Sequence, residues 1–469
     1  MYFAKQYHNA FWLSTNDRYD VSPFEEPVFK HTCKPDRFKG EKSGSLFRKT
    51  MLSFSLMQCA PPDKPAIHYG WVVVTAGMLC ILACLGFGRF ALGMLLPSMA
   101  ATLDLSYSEM GFISTANFLG YLVSVLISGH WAGRIGSRKL IFAALLVVGL
   151  SMSLVSRATG FLPVLVLYMI TGFGSGATNV PVMGLVSAWF SSGLRGRAAG
   201  FIVIGSGFAI MISGRLIPFI NRLVGPEGWR TSWLVLGGFV VLIAFLSLAM
   251  IRDRPADKGL KPVGGEDAGA SSHRGAEGKE ESIYRMGVIY HLGAIYFLFG
   301  YTYVIYATFI VTTLVKERGF SESVAGNFWM WVGFLSLFSG PVFGTLSDRL
   351  SRKTGVMIVF SLQAVSYLLI ATRLPGIFLY LSIGFYGLVA WSIPSIMAAA
   401  VGDYFGARRA ATAFGFVTFI FGLGQVSGPA IAGILAEKTG SFSSSFYMAA
   451  AFSGVAILLT ALLRKPKRN

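Results

Sequence analysis

Apolar stretches separated by short polar breaks recur along the chain from about residue 69 to 463. The first, Trp71 to Leu96, carries a single charge, and its length in helical form crosses a hydrocarbon core of ~30 Å with some tilt. Eleven more follow, and the pattern predicts helical spans over 69–96, 109–129, 140–157, 161–188, 198–220, 231–251, 288–314, 323–344, 355–372, 377–401, 410–435 and 441–463. Most are apolar on every side, which suits helices surrounded by lipid and by one another rather than helices with one wet face. Polar segments divide the series. The predicted order is a polar tail over 1–66, a six-helix bundle over 67–251, a linker over 252–287, a second six-helix bundle over 288–463 and a basic tail over 464–469. The linker, beginning RDRPADKG, is rich in Gly, Pro, Ser and charge. The first tail contains no apolar run of signal-peptide length. It reads either as a disordered cytoplasmic segment or as sequence upstream of a start at Met51 or Met57.

Composition agrees with an all-α membrane protein. Of 469 residues, 54% are hydrophobic and only 13% charged, with mean hydropathy +0.61, which excludes an ordinary soluble enzyme. The 55 glycines fit helices that approach closely in lipid. A formal charge of +18 raises the question of a nucleic-acid partner, but its placement answers it. Lys and Arg crowd into the linker, both tails and every second loop, the bias that sets cytoplasmic termini in a plasma-membrane protein. The expected partners are therefore the lipid bilayer and a small-molecule substrate, with no nucleic acid, and the chain is expected to act as a monomer. Cys80 and Cys84 share a helix face in the first span, where thiols pack rather than bind metal. No nucleotide loop, nucleophile set or metal cluster stands out, so neither enzyme activity nor a cofactor is expected.

A duplication underlies the two halves. GHWAGRIGSRK begins at Gly129 after the second span and GTLSDRLSRK at Gly344 after the eighth, 215 residues later. Pro181 and Pro394 are 213 apart. Parallel repeats of this kind surround a central cavity with binding near the midplane.

The twelve-span plan and the two basic loops resemble the major facilitator superfamily, whose signature after the second span is G-x-x-x-D-R-x-G-R-K. Gly344, Asp348, Arg349, Arg352 and Lys353 match it, with Ser351 in place of a glycine. In the first half Gly129, Arg134 and Gly136 match, but Gly133 stands where the family has its acid. The stretch GFGRFALGMLLP, from Gly86, resembles the YbfB/YjiJ-type bacterial branch of that superfamily. The resemblance implies a carrier working by alternating access, with the basic loops as latches; Pro181 and Pro394, each withdrawing a donor and freeing the carbonyl of Ala177 or Ala390, are the expected hinges. It also implies a cavity lined by the first, fourth, seventh and tenth spans.

Candidate binding residues follow. Arg89 lies inside the first span, beyond its midpoint, and an Arg there is costly by ~3 kcal/mol unless it faces a wet cavity or a bundle interior. Gly86 and Gly93, three and four residues away on the same helical face, are expected to leave room beside it for a ligand or a neighbouring helix. A guanidinium suits a carboxylate; a bond to helix carbonyls or a snorkel to the surface are the plainer alternatives. Tyr296, Tyr303 and Tyr306 of the seventh span, Tyr386 and Trp391 of the tenth and Asn179 of the fourth supply hydroxyls, rings and an amide, though such residues also serve as packing.

The sequence thus predicts a secondary transporter for a small organic anion in the cytoplasmic membrane. The alternatives are an efflux carrier for amphipathic compounds and a transporter-like sensor that moves nothing. With Asp348 as a latch, Asp348→Asn is expected to shift the conformational balance and cut transport in a vesicle uptake assay; uptake at the wild-type rate would remove the latch.

Overall fold

A computed structural model describes residues 68–265, 283–372 and 374–463, excepting the side chains of 407 and 408. The expected tails over 1–66 and 464–469 and the linker beyond residue 265 lie outside the described residues, apart from the turn Ile283–Arg285.

Among the described residues twelve helices are long and apolar enough to cross a membrane. They are α1 Tyr69–Thr102, α2 Tyr107–Ile135, α3 Ser137–Val155, α4 Phe161–Trp189, α5 Ser192–Val224, α6 Gly228–Met250, α7 Gly287–Glu317, α8 Glu322–Arg349, α9 Arg352–Ala371, α10 Ile377–Gly406, α11 Arg409–Thr439 and α12 Ser443–Leu462. Local chemistry fixes the ends. Ser106 and Glu109 form a reciprocal capping box that starts α2, satisfying amide donors the first turn leaves free. Glycines with positive φ at Gly136, Gly225 and Gly440 stop three of the helices. α5 begins six residues before the apolar pattern does, because its polar first turns, SGLRGR, are helical outside the hydrophobic layer.

The start of the linker is part of the first bundle. Residues 252–265 lie along its end: the Trp189 indole donates to the Arg252 carbonyl (2.9 Å), and Val263 pairs with the α4–α5 connection through its amide to the Trp189 carbonyl (2.9 Å). Ser191 N–H returns a bond to the Val263 carbonyl (3.0 Å). The composition of this segment suggested free chain; backbone pairing and the bulk of Val263 against Gly70 hold it instead.

These residues mark one face of the molecule, the linker face; the opposite end is the far face. Toward the far face the two bundles pack closely, apart from a recess of about 340 Å³ between the end of α5 and the start of α8, lined by Ser98, Pro218, Asn221 and Glu322. α1 is buried at every position from Gly86 to Ala100, and α7 from Phe299 to Leu314. Gly214 of α5 and Gly326 of α8 meet so closely that a Cβ on Gly214 would stand 2.6 Å from the Gly326 carbonyl. Tyr107 of α2 meets Phe442, at the start of α12, edge to face at 4.9 Å, and the Thr115 hydroxyl donates to the Val426 carbonyl of α11 (2.8 Å). Polar bonds cross at the rim: Asn221 donates to Glu322 (2.7 Å), and Arg215 donates to Asn327 (2.8 Å). Toward the linker face the pattern reverses. Gly184, Ser187 and Ala188 of α4 and Ser395 and Ala398 of α10 are exposed. A Cβ added at Gly184 or Gly402 would meet nothing within 4 Å.

Close approach of small residues is what allows the far halves to seal. Gly326→Leu would drive its side chain into the Gly214 backbone and the Pro218 ring. With Ser98→Cys as a reporter in a cysteine-free background, that substitution is expected to raise labelling by a membrane-impermeant thiol reagent from the far side several-fold. Unchanged labelling would mean that the Gly214 contact does not control the seal.

Candidate functional site

The site begins with an irregularity in α1. From Leu82 to Phe90 the helix is wound as a π-helix, where two glycines weaken the ordinary α winding and wider turns free carbonyls for outside donors. Three such bonds pin it. Ser175 donates to the Cys84 carbonyl (2.7 Å), Asn117 to that of Gly88 (3.1 Å) and the Tyr168 hydroxyl to that of Arg89 (2.8 Å). Donors from α2 and α4 thereby set the height and direction of Arg89.

Of the two occupants expected beside Gly86 and Gly93, a ligand or a neighbouring helix, the structure shows a neighbouring helix at each. Gly86 and Gly93 do not open space for a ligand beside Arg89: the first lies against Ala209 of α5, and a Cβ on the second would stand 2.7 Å from the Ala307 carbonyl of α7. Spacing of three and four residues defines one face only in an α-helix. Both glycines serve helix packing.

Arg89 is 8% exposed. Its guanidinium carbon lies 4.6 Å from the Phe118 ring centre and 4.2 Å from that of Tyr121, both on α2. Such contacts offset part of the cost of a desolvated cation. They engage no N–H. Nε and Nη2, whose bonds point in the same direction along one edge, are buried with no hydrogen-bond partner. Toward the far face a space of about 10 Å³ adjoins Arg89, lined also by Gly93, Ser114, Asn117, Tyr168 and Thr308, room for about one water molecule. A hydrogen bond between the Ser114 and Thr308 hydroxyls (3.2 Å) ties the two bundles there.

Other residues collect on the linker side of this plug. Asn179 donates to the Tyr121 hydroxyl (2.8 Å), while its own Oδ1 is buried and unpartnered. Trp391 packs against Phe90 (5.0 Å) and edge-on to Tyr303 (5.7 Å), and its indole N–H also lacks a partner. The Tyr303 hydroxyl accepts from Gln425 of α11. Arg89, Asn179, Tyr303 and Trp391 therefore come together, joined by Phe118, Tyr121 and Gln425, which sequence reasoning did not single out. Gln425 carried a signal, being an amide in an apolar span; Tyr121 carried none beyond its type.

The remaining tyrosines go elsewhere. Tyr306 stacks on Tyr386 at 4.0 Å and shares a hydrogen bond with Ser382 (2.9 Å), and Tyr386 donates to the Tyr303 carbonyl (2.9 Å). Their hydroxyls fasten α7 to α10 inside the second bundle rather than face Arg89. Tyr296, 2% exposed, stacks on Phe421 at 4.3 Å as packing. Among the described residues no group of His, Cys, Asp and Glu is placed to hold a metal ion.

A family model described as "Uncharacterised MFS-type transporter YbfB" matches residues 81–461. The chain belongs to this family of major facilitator transporters. It is 25% identical over 398 residues to the hexuronate transporter of Bacillus subtilis, covering 79% of this chain and 90% of that one. It is 24% identical over 409 residues to SauU of Cupriavidus necator, described as a probable sulfoacetate transporter, covering 81% and 91%. In fold it is similar to the xylose transporter XylE from E. coli, solved in a partially occluded inward open conformation. That match has a TM-score of 0.65 at 16% identity over 84% of this chain and 99% of the other.

The superfamily's basic loops differ between the halves of this YbfB-type chain. After α8, Arg352 pairs with Asp348 and donates from Nε to Asp403 at the end of α10 (3.0 Å), while Lys353 donates to the Ala461 carbonyl; Arg349 is exposed. Gly344 adjoins this cluster through the Ser347 hydroxyl, which donates to its carbonyl (2.8 Å). After α2, Gly129 and Arg134 are exposed, and no acid occupies the position of Gly133. A carboxylate arrives from the start of the linker instead: Asp253 accepts the Arg138 amide (2.7 Å), capping the N-terminus of α3 beside Gly136.

The proline sites differ too. α4 runs through Pro181 unbroken, whereas α10 breaks at Ala390 and Trp391, whose carbonyl and amide the ring of Pro394 disturbs from downstream. Ser339 of α8 takes up the freed groups, accepting from the Trp391 amide (3.1 Å) and from the Ser392 hydroxyl at its carbonyl (3.0 Å).

The Tyr168 bond fixes Arg89 without touching any ligand the guanidinium would hold. Tyr168→Phe is expected to weaken binding of an organic acid about fivefold, the worth of one hydrogen bond, and to leave thermal stability within a few degrees of the wild type. Calorimetric titration alongside a melting curve checks both.

Proposed function

We propose that the protein is a secondary transporter that carries an organic anion across the cytoplasmic membrane by alternating access, with Arg89 as the counter-charge. One observation carries this reading: a buried guanidinium offers an unpartnered pair of parallel N–H donors. A buried cation without a partner costs several kcal/mol, and the described middle of the bundle supplies no carboxylate to relieve it. A carboxylate ligand relieves it in the best available geometry, two parallel charge-assisted bonds. The names of two relatives, a hexuronate and a sulfoacetate carrier, support an anionic cargo.

In this reading the linker face is cytoplasmic, with both termini on that side, as the placement of Lys and Arg requires. The structure then corresponds to the state open toward the cytoplasm. Asp348, Arg352 and Asp403 hold the ends of α8, α9 and α10 together as one rigid unit during the rocking motion. Among the described residues no Asp or Glu is buried in the spans to couple transport to protons, so charge movement depends on the substrate and on Arg89.

Reconstituted vesicles test the proposal. Arg89→Gln is expected to reduce uptake of glucuronate, sulfoacetate or whichever organic acid the wild type accepts by about 10- to 100-fold, with Arg89→Lys intermediate. Equal uptake by Arg89→Gln and the wild type would overturn the counter-charge role.

A further inference from the structure

The seam between α5 and α8 carries two more cations, outside the Arg89 cluster and toward the far face. Arg215, Pro218 and Arg222 are three and four residues apart in an unbroken helix, so they share one face of α5. Pro218 and Arg222 line the recess of about 340 Å³ there, across from Ser321, Glu322 and Ser323 of α8. Arg215 lies just beneath it, donating to Asn327 (2.8 Å), about one helical turn below Ser323. Arg215 is exposed about 13 Å before the end of its helix, and Phe208, Ile212, Phe219 and Leu223 around it are exposed too. Such an apolar surface faces acyl chains, where a guanidinium is costly and reaches toward headgroups. The bond to Asn327 uses one N–H and leaves the others. Neither arginine has an acid of its own. Among the described residues neither forms an ion pair, while Glu227 pairs with Arg230 and Glu322 accepts from Asn221 (2.7 Å). With Glu322 as the acid of the recess, the seam keeps a net positive charge open to the lipid layer.

We infer that this seam binds a phospholipid of the far leaflet by its headgroup, with anionic phosphatidylglycerol as the preferred occupant. Its phosphate sits between Arg215 and Arg222, which are about two turns apart on a face from which both long side chains converge. Its acyl chains run over Ile212 and Phe208, and its glycerol hydroxyls enter the recess, where Glu322 accepts and the hydroxyls of Ser321 and Ser323 accept or donate. A choline headgroup has no hydrogen to give Glu322 and brings a cation beside Arg222. A free anion lacks the chains that the exposed apolar side chains would hold. The lipid touches a helix of each bundle close to the contact of Gly214 with Gly326, so it favours the state in which the far side is sealed. The site is separate from Arg89, and its occupancy does not depend on what the transporter carries.

Native mass spectrometry of the full-length protein in detergent, titrated with phosphatidylglycerol, phosphatidylcholine or phosphatidylethanolamine, tests the assignment. The wild type is expected to bind phosphatidylglycerol about fivefold or more tighter than phosphatidylcholine. Arg215→Gln and Arg222→Gln, each checked for a monodisperse elution profile, are expected to weaken phosphatidylglycerol binding by about fivefold each. Arg157→Gln, which removes an exposed charge of the far face away from the seam, is expected to leave the preference unchanged. Equal binding of phosphatidylglycerol and phosphatidylcholine by the wild type overturns the inference, even where a variant cannot be purified. Tighter binding of phosphatidylethanolamine, whose ammonium would pair with Glu322, overturns the choice of an anionic headgroup. An equal loss in Arg157→Gln and the seam variants would mean attraction by overall charge and no site. Displacement of bound phosphatidylglycerol by an equimolar amount of glycerol 3-phosphate would mean a site for a free anion, and would overturn the lipid assignment.

Discussion

An arginine held in the middle of a bilayer with one edge of its guanidinium unpartnered governs the rest of this structure. It cannot lose its charge, and lipid cannot solvate it, so the protein surrounds it with what partial compensation is available short of an acid. Two aromatic rings of α2 take the face of the cation, and donors from α2 and α4 hold the backbone that carries it. The winding of α1 departs from α over the same residues. Removing any of these parts would relocate the charge rather than merely loosen a helix.

The two faces of the molecule divide the remaining work. Small residues let the bundles meet backbone to backbone between the midplane and the far face, where a water-sized space adjoins Arg89 and a larger recess opens between the ends of α5 and α8. On the other side the inner halves of α4 and α10 present small, exposed residues.

Much of this was legible in the sequence. Twelve spans announce themselves because a membrane-crossing helix needs a long apolar run, and Arg89 because it is the charge that interrupts the first. What stayed hidden depended on relations between distant residues. Gly86 and Gly93 looked like one open face because helical spacing assumes α winding, which this segment abandons. Tyr303, Tyr306 and Tyr386 are chemically alike, and only the crossing of α7 with α10 sends the first toward Arg89 and stacks the other two on each other. Asp253 caps a helix 115 residues earlier in the chain, a pairing no local motif encodes. It stands at the end of the first bundle as the acid that Gly133 does not provide.

The docked start of the linker has its own consequence. Residues 252–265 bond to the α4–α5 connection and to the N-terminal end of α1, all within the first bundle, so they travel with that bundle as a single body. Counting them as slack overstates how far one half can swing from the other. A tag or fluorescent insert placed between Arg252 and Gly265 would pry at helix ends instead of riding on a loose cord.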